Sequence, residues 1–338
     1  MASRFSPRRV GAPLLVATAA IAAAGSLGPV ASAAGAEVSG GLEAGDGLSP
    51  ADAAPAPRKE PKGRAPRGDD RAPAPKARPK PRKSSGSGRP VLSAFAAGPG
   101  RFFLYGAPAT VSFRIADGSD TVHVRLEVLG ASNRRIRSID LGRRRTGRTE
   151  TYRLTGREGG TLPQGALVLR LRARDPAGRS LRPSAKASGV DRLGFYWHRM
   201  PVIGNFGFGG DGSRFGAGRP GHIHQGQDIP APEGTPLVAP RGGRVRAVAN
   251  QPAGAGHYVI LSGAGEQRDY VFFHMQAGSI RVRPGQAVQT GQRLGNVGNT
   301  GASLGAHLHF EIWEGGPWQG GGHPVDPLPS LKQWNGWS

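Results

Sequence analysis

Five residues in the C-terminal part of the chain have side chains that commonly bind metal ions or transfer protons: His224, Asp228, His274, His307 and His309. They include four of only nine histidines among 338 residues. Side chains two apart in a strand share a face, so His307 and His309 would converge while Leu308 points away. Two or three imidazoles and a carboxylate, with one position left for water, are typical of zinc. The pattern therefore predicts a catalytic metal site.

The spacing between His224 and Asp228 requires a local structure that brings both side chains to one place. A helix would do so, but Gly226 between them and Pro230 after them disfavour a helix. We interpret the segment as a bend leading into a strand, which carries one nitrogen and one oxygen ligand to the groove of His309. The alternative is two unrelated surface pairs. Two such pairs in one glycine-rich β pattern favour the metal site.

Residues 203–326 resemble the lysostaphin-type (LytM-like) zinc peptidases, which cut peptidoglycan cross-links. The resemblance is carried by His-Gln-Gly-Gln-Asp from His224, by Phe-His-Met around His274 and by His-Leu-His-Phe-Glu from His307. A glycine-rich run over residues 282–301 also matches. The resemblance covers about the last third of the chain, and its motifs are specific.

The resemblance implies a role for each of the five residues. His224, Asp228 and His309 would bind zinc, which polarises a carbonyl group and activates water. His274 and His307 would form the catalytic pair beside the metal. One of these two histidines would act as general base and the other would stabilise the oxyanion or protonate the leaving amine; sequence leaves that choice open. All five positions match, so nothing in the sequence indicates an inactive copy.

Four further residues near the motifs have weaker assignments. Glu311 lies in phase with His309 on the last strand, so we expect it to orient that ligand. Tyr270 is expected in the core, with contact to the oxyanion as the alternative. Asn205 matches the asparagine that occupies the open zinc position in latent family members. His222 is expected to line the groove without binding the metal.

Composition limits the classes of protein that the chain can belong to. Its formal net charge is +22, its pI is near 11.5, and it contains no cysteine. Disulfide scaffolds and thiolate zinc sites are thereby excluded. The length allows two or three modest domains.

Residues 1–33 have the organisation of a secretory signal peptide. Arginines come first, an alanine-rich apolar core spans residues 14–30, and the small residues Ala-Ser-Ala end at Ala33. We expect cleavage near Ala33 and a secreted or envelope-associated protein. An uncleaved membrane anchor is the alternative.

Residues 34–89 read as a disordered, basic, proline-rich linker. The segment has almost no large apolar residues, so it cannot bury a core. Its positive charge serves either solubility or binding to anionic wall polymers. We expect no nucleic-acid partner for an exported protein, and we expect a monomer.

Residues 90–187 alternate apolar and polar positions, for example over 110–115 and 167–173, with glycine and proline turns between. This spacing predicts a β-sandwich. The run that starts at Phe102 is similar to the immunoglobulin-like repeats of bacterial surface and flagellar-hook proteins. We therefore expect an immunoglobulin-like β-sandwich without catalytic residues.

Residues 188–338 are predicted to form the zinc peptidase domain. Short strands separated by glycine turns, with no helical period between residues 229 and 301, indicate an antiparallel β-sheet or hybrid β-sandwich. The tail from residue 315 is interpreted as loop-rich. The fold class of the whole chain is thus all-β.

The sequence as a whole predicts a secreted zinc-dependent endopeptidase that hydrolyses the peptide cross-links of cell-wall peptidoglycan, with the peptide stems as its substrate. The alternative is a non-catalytic envelope-binding protein or an amidase activator. Glycyl-glycyl bridges, direct cross-links and the lactyl amide all remain open as the bond that is cut.

Overall fold

A computed structural model of the protein describes residues 88–116 and 119–338. All described residues lie in one compact unit. They form strands with one short α-helix, which confirms the all-β prediction. The expected signal segment and nearly all of the expected linker lie outside the described residues.

The first eight strands form two sheets. They are β1 (Val91–Gly98), β2 (Arg101–Phe103), β3 (Ala109–Ala116), β4 (Thr121–Leu129), β5 (Arg135–Arg145), β6 (Thr149–Leu154), β7 (Gly165–Arg174) and β8 (Val190–Tyr196). One sheet has the order β1-β3-β6 and the other has the order β2-β8-β7-β4-β5. All neighbours are antiparallel except β2 and β8.

Alternating apolar residues hold the two sheets together. In β4, Val122, Val124 and Leu126 are buried, whereas His123 and Arg125 between them are exposed. The buried residues join side chains of both sheets in one hydrophobic cluster. The two sheets therefore form a β-sandwich with the other face of each sheet toward solvent. Its expected immunoglobulin-like relationship stays a prediction.

Strand β8 lies beyond residue 187, the predicted end of the sandwich. It pairs with β7, and Leu193 and Phe195 are buried in the sandwich cluster. The first residue of the next hydrophobic cluster is Met200. The packing therefore changes from one cluster to the other between Phe195 and Met200.

The second part of the described chain contains eleven more strands and the helix. They are β9 (Gly218–Arg219), β10 (His222–Ile223), β11 (Gln227–Pro230), β12 (Pro236–Val238), β13 (Gly243–Gln251), β14 (Gly256–Gly263), β15 (Arg268–Met275), β16 (Ala287–Val288), β17 (Arg293–Asn296), β18 (His307–Glu314), β19 (His323–Val325) and α1 (Leu328–Asn335). The main sheet has the order β11-β18-β15-β14-β13-β16, with β19 also paired to β18. β9 with β10 and β12 with β17 form two small antiparallel pairs.

Strand β18 separates a core face from a polar face. Leu308, Phe310 and Ile312 are almost completely buried in the second hydrophobic cluster. The residues that alternate with them, His307, His309 and Glu311, must lie on the opposite face. Strict alternation along one central strand thus supplies the core and presents the histidines together.

Helix α1 was not predicted, because the tail was interpreted as loop-rich. Its eight residues are too few for a clear period, and its stability comes from packing. Leu331 and Trp334 are buried in the second cluster. Within the described parts of the chain, no helix has the length and apolar character needed to cross a membrane.

The sandwich and the second part are joined by specific contacts. The Thr290 hydroxyl donates to the Leu104 carbonyl and accepts a hydrogen bond from the Gly242 N–H. Tyr196 of β8 stacks on Trp337 with ring centroids 4.8 Å apart.

Candidate metal centre

Three side chains point their donor atoms at one small space. His224 Nε2 lies 3.0 Å from Asp228 Oδ1, and His309 Nδ1 lies 2.9 Å from the same oxygen. The two nitrogens are 2.9 Å apart. Three ligands at 2.0–2.1 Å from one tetrahedral ion would be separated by about 3.3 Å. The donor set therefore fits a metal ion after a shift of a few tenths of an ångström.

Strand pairing brings these ligands together from distant parts of the sequence. β11 pairs antiparallel with β18 so that Asp228 is the partner of His309. His224 precedes β11 in a bend rather than a helix, as predicted, and its N–H donates to the Ala217 carbonyl. Gly226 passes so close that an added Cβ would lie 2.5 Å from the Phe310 carbonyl oxygen.

Each imidazole in the ligand set has its second nitrogen fixed by an oxygen acceptor. His224 Nδ1 lies 2.7 Å from the Arg214 carbonyl oxygen, and His309 Nε2 lies 2.9 Å from Glu311 Oε1. An N–H directed at such an acceptor leaves the other nitrogen to face the centre as a ligand atom. This arrangement is the usual support for metal-binding histidines.

Glu311 is buried behind the ligands, as its phase on β18 indicated. Its second oxygen accepts a hydrogen bond from Trp313 Nε1 at 2.7 Å. The Phe273 ring stacks on His309 with centroids 5.2 Å apart and planes 11° apart. Together these contacts fix the orientation of the His309 ring.

His274 and His307 line the same groove, beside the three ligands. Their ring centroids are 4.8 Å apart. His274 Nδ1 lies 2.8 Å from the Thr300 carbonyl oxygen, and His307 Nδ1 lies 2.7 Å from that of Gly305. Both Nδ1 atoms are thereby occupied, so Nε2 is the nitrogen available to a substrate. His307 Nε2 lies 3.6 Å from Asp228 Oδ1.

A local irregularity directs His274 into the groove. Its φ is 58°, in the left-handed region that non-glycine residues rarely adopt. Phe273 and His274 both line the groove, which regular strand alternation would not allow. Backbone conformations of this kind are commonly retained at functional sites.

The electrostatics of the centre favour a charged carboxylate among imidazoles. Burial alone would raise the pKa of Asp228, but hydrogen bonds with His224 and His309 lower it far below its usual range. Burial opposes the charged form of His309, yet the Asp228 and Glu311 carboxylates raise its pKa to about 9. Burial lowers the pKa of His274 to about 4, against the hydrogen bond with Thr300. His274 is therefore neutral near pH 7.

Arg219 contacts the centre and was not identified from the sequence. Its Nη2 donates to Asp228 Oδ2 at 2.7 Å, while Oδ1 faces the imidazoles. Arg219 lies on β9, which pairs with β10 to form a small hairpin beside the ligands. No motif or spacing marks this arginine, because its contact depends on how the hairpin folds back.

The weaker assignments have different outcomes. Asn205 is exposed and is not among the residues that line the groove, so it does not occupy the centre as predicted for a latent form. Tyr270 is completely buried and donates to Glu266 Oε1 at 2.5 Å, in agreement with a core position. His222 lines the groove outside the ligand set, as expected.

The groove has a volume of about 780 Å³ and is open to solvent along the ligands. The Leu304 side chain is fully exposed at its rim, and Pro220 and Ala302 also line it.

Residues 222–327 match the model of peptidase family M23. This part of the chain is an M23 peptidase domain. The match includes all five sequence-predicted site residues and agrees with the resemblance to lysostaphin-type peptidases.

Several curated relatives are similar to part of the chain. An uncharacterized metalloprotease of Haemophilus influenzae is 43% identical over 89 residues, covering 26% of this chain and 18% of the relative. The peptidoglycan DD-endopeptidase ShyA of Vibrio cholerae is 38% identical over 89 residues, or 26% and 20%. The murein hydrolase activator NlpD of Salmonella dublin is 34% identical over 119 residues, or 35% and 28%. The chain thus spans less than a third of each of these relatives.

Solved structures of M23 domains are also similar. The catalytic domain of a variant of the prophage-encoded M23 protein EnpA from Enterococcus faecalis is 35% identical. The alignment covers 36% of this chain and 93% of that chain, with a TM-score of 0.30.

Proposed function

We propose that the M23 domain is a zinc-dependent endopeptidase that hydrolyses the peptide cross-links of cell-wall peptidoglycan. The observation that carries this proposal is the arrangement of four imidazoles around Asp228. Each has one nitrogen held by an oxygen acceptor and the other available to the groove. The endopeptidase relative named above acts on peptidoglycan, which supports the choice of substrate.

His224, Asp228 and His309 would hold the zinc ion, and the donor distances support this assignment. When bound, zinc supplies a Lewis acid that polarises the scissile carbonyl and lowers the pKa of water. Glu311 and Trp313 keep His309 in position, and Arg219 holds the second oxygen of Asp228. These contacts preorganise the ligands before substrate arrives.

His307 would act as the general base. Its Nδ1 is held by the Gly305 carbonyl, so Nε2 takes the proton from the attacking water and later delivers it to the leaving amine. Asp228 Oδ1 lies 3.6 Å from this nitrogen. In this step the water oxygen forms a bond to the carbonyl carbon, the carbon–nitrogen bond breaks, and the amine leaves with the proton.

His274 would assist from the opposite side of the pair. Burial lowers its pKa to about 4, so the imidazole is neutral near pH 7 and, with Nδ1 held by the Thr300 carbonyl, its Nε2 can accept a hydrogen bond from the scissile N–H. Its Nε2 also lies on the groove side, where it can orient the scissile amide. His307 thus transfers the proton and His274 orients the amide, and neither belongs to the ligand set.

Location follows from the substrate. An enzyme that cuts cross-links must reach the cell envelope, and the signal-like residues 1–33 would supply export. We propose a monomeric, envelope-associated or secreted enzyme. Its basic linker would then act in the same compartment, where anionic wall polymers occur.

The test uses the purified chain loaded with zinc and incubated with peptidoglycan. New amine-ended fragments, identified by mass spectrometry, should appear and should disappear when zinc is chelated. Their masses also identify the bond that is cut. Full zinc occupancy without fragments from any cross-link type would contradict the proposal.

A second candidate is activation of a separate amidase without hydrolysis by this chain. It is favoured by the similarity of part of the chain to the murein hydrolase activator NlpD. An activator would stimulate an added amidase equally well after His307→Ala, whereas the peptidase would lose its own turnover. The two outcomes separate the candidates directly.

A further inference from the structure

The outward face of the five-stranded sandwich sheet concentrates positive charge. Six arginines, here called the arginine face, project from β4, β5 and β7: Arg125, Arg143, Arg145, Arg170, Arg172 and Arg174. On β4 and β7 the neighbouring residues that point inward are buried and apolar. The two carboxylates on this face are Glu127 and Asp140.

The strand register places like charges directly against each other. Arg125 is the partner of Arg172 on one side and of Asp140 on the other, and His123 lies between Arg143 and Arg174 on the neighbouring strands. Directly opposite side chains have Cβ atoms about 5 Å apart, and outward residues along one strand repeat every ~6.7 Å. Opposed like charges destabilise a sheet. An anion bound between them would remove that repulsion.

The two carboxylates neutralise only part of this face. Glu127 lies 3.2 Å from Arg172 and 3.9 Å from Arg170. Asp140 lies 2.8 Å from His123. Among the described residues, no carboxylate lies within 4.0 Å of the guanidinium groups of Arg143, Arg145 and Arg174. The uncompensated charge is therefore concentrated at the end of β7.

A groove of about 790 Å³ runs along the arginine face. Arg125, Arg170, Arg172 and Arg174 line it together with Glu127, and several residues between Ser180 and Val190 also contribute to the lining. It lies in the sandwich and shares no lining residue with the groove of the metal centre. The groove on the arginine face is therefore separate from the candidate metal centre.

We propose that the arginine face binds a linear phosphodiester polymer of the polyol phosphate class. Guanidinium forks bind phosphate oxygens in pairs, and opposed arginines such as Arg125 and Arg172 can hold one phosphate from two sides. A repeating row of guanidinium groups matches a chain with one negative charge in each repeat. The binding mode is electrostatic and needs no recognition of the polyol itself.

The composition of the face disfavours nucleic acid as the partner. Single-stranded nucleic acids are held by aromatic side chains on which bases stack. β4, β5 and β7 contain no Phe, Tyr or Trp. A polymer without bases needs only the guanidinium row.

Binding would keep the M23 domain close to an anionic wall while its metal centre stays free. This surface does not depend on the proposed peptidase activity, since it shares no residue with the metal centre. Failure of one proposal would leave the other intact. Zinc content and turnover measured on the same variants distinguish the two.

The test compares two triple variants of the full chain that keep the basic linker and lose the same charge. One carries Arg125→Gln, Arg172→Gln and Arg174→Gln on the arginine face. The matched control carries Arg114→Gln, Arg153→Gln and Arg283→Gln, exposed arginines outside this face. Fluorescence anisotropy with labelled poly(glycerol phosphate) measures affinity at several salt concentrations.

The arginine-face variant should bind about tenfold more weakly than the unaltered chain, and its slope of log affinity against log salt should fall in magnitude by about 2. The control variant should stay within about twofold. Both should unfold at similar temperatures and retain zinc. Equal losses in the two variants would assign binding to net charge or to the linker and would overturn the proposal.

Two further probes test the chemical class. Poly-glutamate of similar length should bind more weakly than poly(glycerol phosphate). The two oxygens of a planar carboxylate pair with one guanidinium group, whereas the tetrahedral oxygens of a phosphate can face guanidinium groups on two sides. Oligothymidylate should bind no more tightly than its number of phosphate charges accounts for. Tighter binding to oligothymidylate would identify nucleic acid as the partner, and equal binding to poly-glutamate would remove the phosphate assignment.

Discussion

Glu311 accepts hydrogen bonds from both sides of one strand face: from His309 Nε2 at 2.9 Å and from Trp313 Nε1 at 2.7 Å. Each of its two carboxylate oxygens thus accepts one hydrogen bond inside a buried site. The pair of Glu311 and His309 fixes which imidazole nitrogen faces the centre. We therefore expect metal affinity to depend on Glu311, which lies outside the ligand set.

Replacing Glu311 with Gln should weaken zinc binding by roughly 10–100-fold. The amide keeps one acceptor oxygen but directs an NH₂ group at one of the two donors. Competition with a chelator of known affinity measures the loss. Glu314→Gln on the same strand is the control, since Glu314 pairs with Arg268 away from the centre. Equal zinc affinities of the two variants would contradict this role.

His309→Ala and His307→Ala should separate metal binding from turnover. Loss of His309 removes a ligand, so both zinc content and peptidoglycan hydrolysis should be lost. Loss of His307 should leave zinc content near one ion per chain and reduce turnover by about 10²–10⁴-fold. Metal analysis and single-turnover kinetics measure the two effects. Full zinc content in His309→Ala would refute the ligand assignment.

The candidate site was largely predictable because residue type and spacing carry its chemistry. His307 and His309 share a face through strand alternation alone, and Gly226 with Pro230 excludes a helix between the other ligands. Strand alternation likewise predicted the sandwich. These features are local, so one sequence contains them.

The features that were not predicted from the sequence depend on contacts between distant segments. Arg219 reaches Asp228 only after the β9–β10 hairpin folds back, and the carbonyl of Thr300 that holds His274 has no side-chain signal. β8 appeared to belong with the peptidase because the chain gives no turn signal where the packing changes. Helix α1 is stabilised by burial of Trp334 rather than by its own propensity.

Zinc uptake should release a proton from His309. Without metal, the Asp228 and Glu311 carboxylates raise the pKa of His309 from 6.5 to about 9, so its Nδ1 carries a proton at pH 7. Zinc must displace that proton. Affinity should therefore rise about tenfold per pH unit up to pH 9 and level off above it. Calorimetry in buffers of different ionisation enthalpy counts the proton.

The same shift has the opposite sign for the stability of the metal-free chain. A raised pKa in the folded state adds stability that is complete below pH 6.5 and is lost as pH rises toward 9. Chemical unfolding of the chelated protein at several pH values measures this change. His222→Gln is the control, since it removes a groove imidazole outside the ligand set. For zinc uptake, release of no proton by the unaltered chain at pH 7 would contradict the prediction of the preceding paragraph.

Gly226→Ala should damage the centre through packing alone. An added Cβ would lie 2.5 Å from the Phe310 carbonyl oxygen and 2.8 Å from His309 Nε2, closer than real contacts allow. The carbonyl cannot move freely because Gln227 and Phe310 are partners in the β11–β18 ladder. We expect a loss of roughly 1–3 kcal/mol in unfolding free energy, together with weaker zinc binding. Gly210→Ala is the matched control, since its Cβ would meet open space. Thermal unfolding with zinc titration compares the two variants, and equal behaviour would show that β11 can shift away from His309.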